Sequence, residues 1–362
     1  MSASNPIPTA RAWADVDLGA LVANARTVLS VSGSRLLPMV KANAYGLGAV
    51  PVARALEAVD PWGFGVATIE EGLDLRRAGI RLPIVVFSPL AAEEFETCHR
   101  ENFRPVFGDL EGLRRWIAAG DRPFHVEIDT GMARLGFRWS DAAGLSEAGR
   151  LLDAAPGWEG VFTHFHSSDF DAQAVQQQWE RLNGVVAGFP RRPAMVHAAN
   201  SAAALRGTSF AGDLVRPGIF LYGGAAGAGT PRPRTVVRFH APVVARRRLR
   251  GGDSVSYGAS WRAPHDTTIV TVAAGYADGI PRALSGTGSV ELGSRVYPMV
   301  GRVTMDFVMV DVGDDDVAVG TVATLYGGAV SLEAQAAAGR TVNYELLTGI
   351  GARVPRRYAE GT

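Results

Sequence analysis

Between residues 35 and 222, short apolar runs alternate with amphipathic stretches. The runs Leu36–Lys41, Gly63–Ala67, Pro83–Phe87, Arg104–Phe107, Phe124–Asp129, Gly160–His166, Ala194–Ala198 and Leu214–Leu221 predict strands. Between them, VPVARALEAV, IEEGLDLRRAG, AAEEFETCHREN, DLEGLRRWIAAG and AQAVQQQWERLNGVVAGF repeat apolar residues every three or four positions, the period of an amphipathic helix. Strand and helix alternating in this way predict an α/β fold, and eight such units predict closure into a TIM-type (β/α)8 barrel. A doubly wound sheet is the alternative.

GGAAGAGTPRPR (Gly223–Arg234) then reads as a linker. Beyond it the helical period disappears. VVRFHAPVVARRRL, TTIVTVAAG, SVELGSRVYPMVG, DFVMVDVG and VATLYGG are β-branched runs punctuated by Gly, Pro and Asp, which predict an all-β domain. The expected organisation is a barrel over 13–234 and a β-domain over 235–362. The opening segment (1–12, with an extended Arg11–Val16) is expected to add a strand to the β-domain.

Composition narrows the function classes. Hydrophobic residues make up 47% of the 362, charged residues 20%, and mean hydropathy is +0.07, the profile of a globular chain with ample core. No apolar run is long enough to cross a bilayer, and MSASNPIPTARAWADVD lacks the apolar core of a signal peptide. Acidic and basic residues number 36 each, so nothing points to a membrane surface or to nucleic acid as partner. Cys98 stands alone and can form no intrachain disulfide, which suits the cytoplasm. No Gly-x-Gly-x-x-Gly follows a strand and opens a helix, so a dinucleotide fingerprint is not supported.

One count stands out: Lys41 is the only lysine, and the other 35 basic residues are arginine. Codon preference accounts for the arginines but not for the exception. Arginine stays protonated and cannot act as an amine nucleophile, so a lysine needed for Schiff-base chemistry is the one that arginine cannot replace. Its surroundings agree. Lys41 opens VKANAYGLG at the end of the first predicted strand, and strand 5 runs into EIDTGMARLGF. Strand 6 runs into THFHSSD, strand 7 into HAANSAA, and strand 8 carries VRPGIFLYGG. The C-terminal strand ends of a barrel are where catalytic residues collect.

These segments resemble alanine racemase, a family that uses pyridoxal 5'-phosphate (PLP) and joins a barrel to a β-domain. The resemblance continues through SYGASW, AAGYADGIPRALS, GRVTMDFVMVDV and YELLTGIGARVPRRY and covers nearly the whole chain. It implies that Lys41 holds PLP and acts as a base on one face of the substrate. Tyr257, in SYGAS, would act on the other face from the partner subunit of a homodimer. Arg216 resembles the arginine that meets the pyridine nitrogen, with His164 near the ring and hydrogen-bonded to Arg216. Tyr45, Ser201, Gly218, Ile219 and Tyr344 match the phosphate cradle, and Asn200 lies beside its serine. Arg134 resembles the arginine that touches cofactor and substrate carboxylate. Met305 and Asp306 resemble the carboxylate pocket, Tyr276 the entrance, and Asp169, Arg282 and Arg302 positions further out. Fold-related decarboxylases place an acid where Arg216 stands and a catalytic cysteine in the β-domain; this chain has neither pattern.

The implied reaction interconverts L- and D-alanine, supplying D-alanine for peptidoglycan. A serine or broad-range racemase of the same fold is the nearest rival, and a non-catalytic PLP-binding protein or a metal-dependent hydrolase more distant ones. His164 and His166, with Asp169 and Asp171 following, could supply a metal, although no matching ligands recur at other strand ends, and none is expected. The run Asp314–Asp316 lacks calcium-loop spacing and reads as a solvated turn. One position departs from the family: where many members carry a carbamylated lysine, seven residues before Arg134, this chain has Glu127. Alternation places His125, Glu127 and Asp129 on one strand face, from which Glu127 is expected to pair with Arg134.

Overall fold

The computed structural model describes residues 11–360. The chain divides into two compact units: Leu21–Arg234, and the described residues up to Ala20 together with those from Thr235 onward.

The first unit is a closed parallel barrel. Its strands are Arg35–Leu36, Phe64–Val66, Ile84–Val86, Arg104–Phe107, Phe124–Asp129, Trp158–Phe162, Met195–His197 and Leu214–Val215, numbered 1 to 8 below. Strands 2 to 7 pair in sequence order. Strand 8 pairs with strand 1 through Leu214↔Arg35 and Val215↔Leu36, and Met39 bridges to Gly65 on strand 2. The Asp213 and Arg216 amides donate to the Val196 and Ala199 carbonyls, which joins strand 8 to strand 7 and closes the ring. Closure satisfies backbone groups that an open sheet would leave at its edges. The barrel, rather than a doubly wound sheet, is the fold. Three predicted strands run four or more residues past their observed ends: strand 1 stops at Leu36 rather than Lys41, strand 6 at Phe162 rather than His166, and strand 8 at Val215 rather than Leu221.

Strands fill the barrel with Leu37, Val85, Val106, Phe162, Met195 and Leu214, flanked by Trp62 and Phe87. Outer helices start where a short polar side chain can cap them. Thr68, Asp109, Asp141 and Asp171 each accept an amide from the first turn, a contact worth about 1 kcal/mol. The linker ends tied down: Asn24 accepts the Arg234 amide and donates to its carbonyl.

The second unit is antiparallel. Val237–Leu249 is its longest strand, and it bends at a register shift between Val243 and Ala245. Before the shift it pairs with Val322–Tyr326, beyond it with Thr267–Val272. The ring closes through Val308–Gly313, Arg295–Val300 and Ser289–Leu292. Trp13–Asp17 adds to this sheet beside Val237–His240 and pairs in parallel with Arg356–Ala359. The expected opening strand therefore lies slightly later than 1–12; residues 1–10 fall outside the described ones. The turn Asp314–Asp316 is tied by ion pairs to Arg248, Arg295 and Arg246.

Candidate active site

In the barrel unit, Lys41, Arg134, His164, Ser201 and Arg216 each stand just beyond the C-terminal end of a strand (1, 5, 6, 7 and 8). They share one face because parallel strands all end on it.

Lys41 opens an unusual segment. Ala42, Asn43, Ala44 and Tyr45 all have φ between 52° and 54°, one turn of left-handed helix, before Gly46 at 83°. For non-glycine residues this costs about 1–2 kcal/mol each, so surrounding bonds must hold it. Glu71 does so by accepting the Ala42 amide at 2.6 Å and the Ala67 amide at 2.7 Å. The Asn43 side chain accepts the Ala49 amide at 2.8 Å. Strain stored next to one side chain is a mark of a site whose geometry matters more than its stability. Burial lowers the pKa of the Lys41 amine, the Arg134 cation lowers it further, Glu71 opposes, and Arg216 adds to the lowering. The amine is thereby biased toward its neutral, nucleophilic form.

Arg216 is only 4% exposed. It donates to His197 Nδ1 at 2.8 Å and to the carbonyls of Thr163 (2.8 Å) and Ala198 (3.1 Å), and lies 4.9 Å from the Phe162 ring centroid. Burial pulls its pKa down to about 10, which Glu127 opposes and Arg134 assists, so it remains a cation at neutral pH. The expected hydrogen bond to His164 is not formed; His197, on strand 7, takes that place. A guanidinium bonds the acceptor that its neighbouring strand presents, and strand 7 is that neighbour. His164 instead faces Arg216, Arg134 and Lys41. Burial, then Arg216, Arg134 and Lys41, push its pKa down to about 3, which keeps the ring neutral.

Ser201 Oγ accepts the Gly218 amide at 2.9 Å and the Phe220 amide at 3.4 Å. Ile219 is buried between them in sequence. Gly218 brings the backbone close to Tyr45: a Cβ there would press against the Tyr45 hydroxyl and displace that ring. Tyr45 is itself stacked on Tyr222, with centroids 4.6 Å apart. Asn200 caps the turn Ser201–Ala204, accepting the Ala203 amide and the Ser168 hydroxyl.

Glu127 lies in the barrel interior, 5% exposed. Burial raises its pKa against the pull of Arg134 and Arg216. It forms no ion pair with Arg134, which is exposed; the two interact only through the field between them. His166 is exposed and bonded to Ser167, and neither it nor His164 lies on a strand, so a strand does not set the two rings side by side for a metal. Among the described residues, no group of three or more His, Cys, Asp or Glu is placed to hold a metal ion.

The β-unit carries the other predicted residues. Tyr257 sits in a turn whose flanks Ser256, Gly258 and Ala259 all have positive φ, and it is 71% exposed. The Ser256 hydroxyl ties this turn to the Arg302 carbonyl. The amides of Tyr276 and Ala277 donate to the carbonyls of Thr304 and Met305, joining the Tyr276 turn to the Met305–Asp306 loop. Both are latched by Asp278, 1% exposed, which accepts two N–H groups of Arg353 (2.7 and 3.0 Å) and one of Arg11 (3.0 Å). Arg353 also reaches Asp306 at 2.7 Å. Tyr344 opens out from Asn343–Thr348, 43% exposed. Asp278, Arg353, Glu71, Glu159 and His197 carry no local sequence signal of a site role; each acts through a long-range contact.

A model of the alanine racemase N-terminal domain matches residues 16–226, and one of the alanine racemase C-terminal domain matches 236–358. The chain belongs to the alanine racemase family. The alanine racemase of Chlorobaculum tepidum is 37% identical, with 94% of each chain covered, and that of Deinococcus radiodurans 38% identical, covering 96% of this chain and 99% of the relative. Alanine racemase from Streptomyces coelicolor superposes with a TM-score of 0.92 at 31% identity, over 97% of this chain and 99% of the other. The Bartonella henselae alanine racemase, solved with covalently bound pyridoxal phosphate, gives 0.91 at 31%, over 97% and 100%. The family's two-part build, a parallel barrel followed by an antiparallel β-domain, is the build of this chain.

Proposed function

We propose that this chain is a homodimeric, PLP-dependent alanine racemase that uses Lys41 and Tyr257 of the partner subunit as its two bases, and that it supplies D-alanine for bacterial peptidoglycan from the cytoplasm. The observation that carries the reading is Lys41: the sole lysine, held at the barrel mouth by a strained left-handed turn, its amine biased neutral by burial and two arginines.

The residues present fit the cofactor. The Gly218 backbone comes so near Tyr45 that a side chain there would displace the tyrosine ring, and hydroxyls and amides cluster there as a phosphate dianion needs. Tyr45, Ser201, Gly218, Ile219 and Tyr344 would hold the phosphate, with Asn200 bracing the Ser201 turn. Bound PLP supplies an electron sink that lets an amino acid release its α-proton.

The chain's own groups do the rest. The Lys41 amine takes or returns a proton at Cα on one side, and the Tyr257 hydroxyl serves the opposite side. Inversion needs a base on each face. Arg216 would meet the ring nitrogen as a fixed cation that opposes ring protonation, with neutral His164 beside it. Arg134, Met305 and Asp306 would hold the substrate carboxylate, and Tyr276 would narrow the entrance. A second copy is supported by exposure: Tyr257, Met305 and Tyr276 are 71%, 52% and 45% exposed on the β-unit, where a partner could cover them. Among the described residues, no helix is long and apolar enough to cross a membrane. The test is a racemisation assay across the amino acids. Alanine is expected to be turned over fastest in both directions; a clear preference for serine would replace the substrate, and no racemisation of any amino acid would overturn the reading.

A further inference from the structure

A line of buried polar side chains runs through the barrel away from the site. His197 Nδ1 takes the Arg216 N–H at 2.8 Å, and His197 Nε2 meets His125 Nδ1 at 2.9 Å. His125 Nε2 meets Glu159 Oε2 at 3.2 Å, and Arg104 Nε donates to the same oxygen at 3.3 Å. Both imidazoles are completely buried, while Glu159 is 22% exposed.

The proton positions along this line are decided from both ends. A guanidinium has only donors, so His197 Nδ1 must accept and its proton sits on Nε2. A carboxylate only accepts, so the His125 proton also sits on Nε2. The two requirements meet without conflict: His197 Nε2–H donates to a bare His125 Nδ1. A second proton on either ring would set N–H against N–H. The barrel is shaped for this line, because a Cβ on Gly160 of strand 6 would lie 2.6 Å from His125 Nδ1. Phe162 stacks on His197, with centroids 5.0 Å apart, and also underlies Arg216.

We propose that Glu159, His125 and His197 are positioning residues for Arg216: the carboxylate locks two neutral imidazoles as Nε2–H tautomers, so that Arg216 always meets a bare acceptor. Three of the five guanidinium N–H groups are then bound by protein, one each on His197, Thr163 and Ala198, leaving two for a ligand. Without the carboxylate, either ring can flip its proton, and a flipped His197 turns an N–H toward Arg216. The catalytic consequence rests on the racemase reading above; the tautomers do not.

The test is nitrogen-15 NMR of histidine-labelled holoenzyme, with His197 and His125 assigned by His197→Gln and His125→Gln. In the wild type both rings are expected as Nε2–H, neutral and unchanged from pH 6 to 9. Glu159→Gln is expected to mix the tautomers of both rings, shift the absorption band of the bound cofactor, and lower kcat about 3–10-fold with KM for alanine unchanged, as loss of one transition-state hydrogen bond would. Gly160→Ala, which displaces the His125 ring and removes no titratable group, is expected to give the same signature. An Nδ1–H or doubly protonated ring in the wild type would overturn the proposal, as would wild-type tautomers and kcat in Glu159→Gln. Locked tautomers in a wild type that racemises nothing would support the relay and overturn the activity instead.

Discussion

The two units present the residues proposed for the site in opposite ways. In the barrel, Arg216, Ser201 and Tyr45 are buried, and their orientation follows from bonds within the same unit. In the β-unit, Tyr257, Met305, Tyr276 and Tyr344 are turned to solvent on loops, and what is buried is the latch beneath them, Asp278. The buried residues are pre-organised by their own fold; on the proposed reading, the exposed ones are completed when a partner covers them. Substitutions in the barrel should therefore affect chemistry and folding together. Those at the exposed positions should affect chemistry alone, and those in the latch should affect mainly stability and substrate binding.

The largest effect is expected at Lys41. Lys41→Ala should lower racemisation by at least about 1,000-fold, because a group acting at the reacting atom has no substitute nearby. Borohydride reduction followed by peptide mapping should label Lys41 in the wild type and nothing in the variant. Label elsewhere would remove Lys41 from its role. Next is Tyr257→Phe, expected to cost about 100- to 1,000-fold in kcat, the range of a lost general acid or base. The side chain is exposed in the isolated chain, so monomer stability should change by about 0.5 kcal/mol or less. A large loss of stability would show that the tyrosine is structural.

Asp278→Ala removes the acceptor for three arginine N–H groups and the Gly275 amide. It should destabilise the β-unit by about 2 kcal/mol, moderated because both arginines are 40% exposed. By freeing the Tyr276 and Met305–Asp306 loops it should raise KM more than it lowers kcat, which initial-rate kinetics would show.

The smallest effect, and the most diagnostic, is at Glu127. Its folded pKa is raised, so the ionised carboxylate opposes folding. That cost appears as pH rises through the folded value and is absent below the ordinary value of 4.5. Glu127→Gln should therefore raise the melting temperature at pH 7 by roughly 1–2 °C, the shift for about 1 kcal/mol in a chain of 362 residues, and by nothing near pH 4. Activity should fall by about tenfold as Arg134 and Arg216 lose the carboxylate that interacts with both. A variant less stable at pH 7 than the wild type would contradict the buried-charge account.

Much of this was legible in the chain. Eight apolar runs announced the barrel strands because a parallel strand buried on both faces must be apolar almost throughout. Lys41 announced itself by being alone. What stayed hidden depended on neighbours remote in sequence. Alternation put His125 and Glu127 on the inner face but could not say that Gly160 leaves room for the His125 ring, nor that His197 rather than His164 lies against Arg216. Strand 6 ends at Phe162, four residues before the predicted His166. The left-handed turn Ala42–Tyr45 has no glycine until Gly46, so nothing in its composition signals positive φ.

The central claim is that the two halves belong to one site only when two chains meet. Lys41→Ala and Tyr257→Phe chains, each nearly inactive as homodimers, should be mixed in equal amounts and allowed to exchange subunits. Half of the resulting dimers are mixed and each has one of its two sites intact, so activity should return to about a quarter of the wild-type value. Activity that stays at the level of the unmixed variants, with exchange confirmed by mass spectrometry, would contradict the shared site.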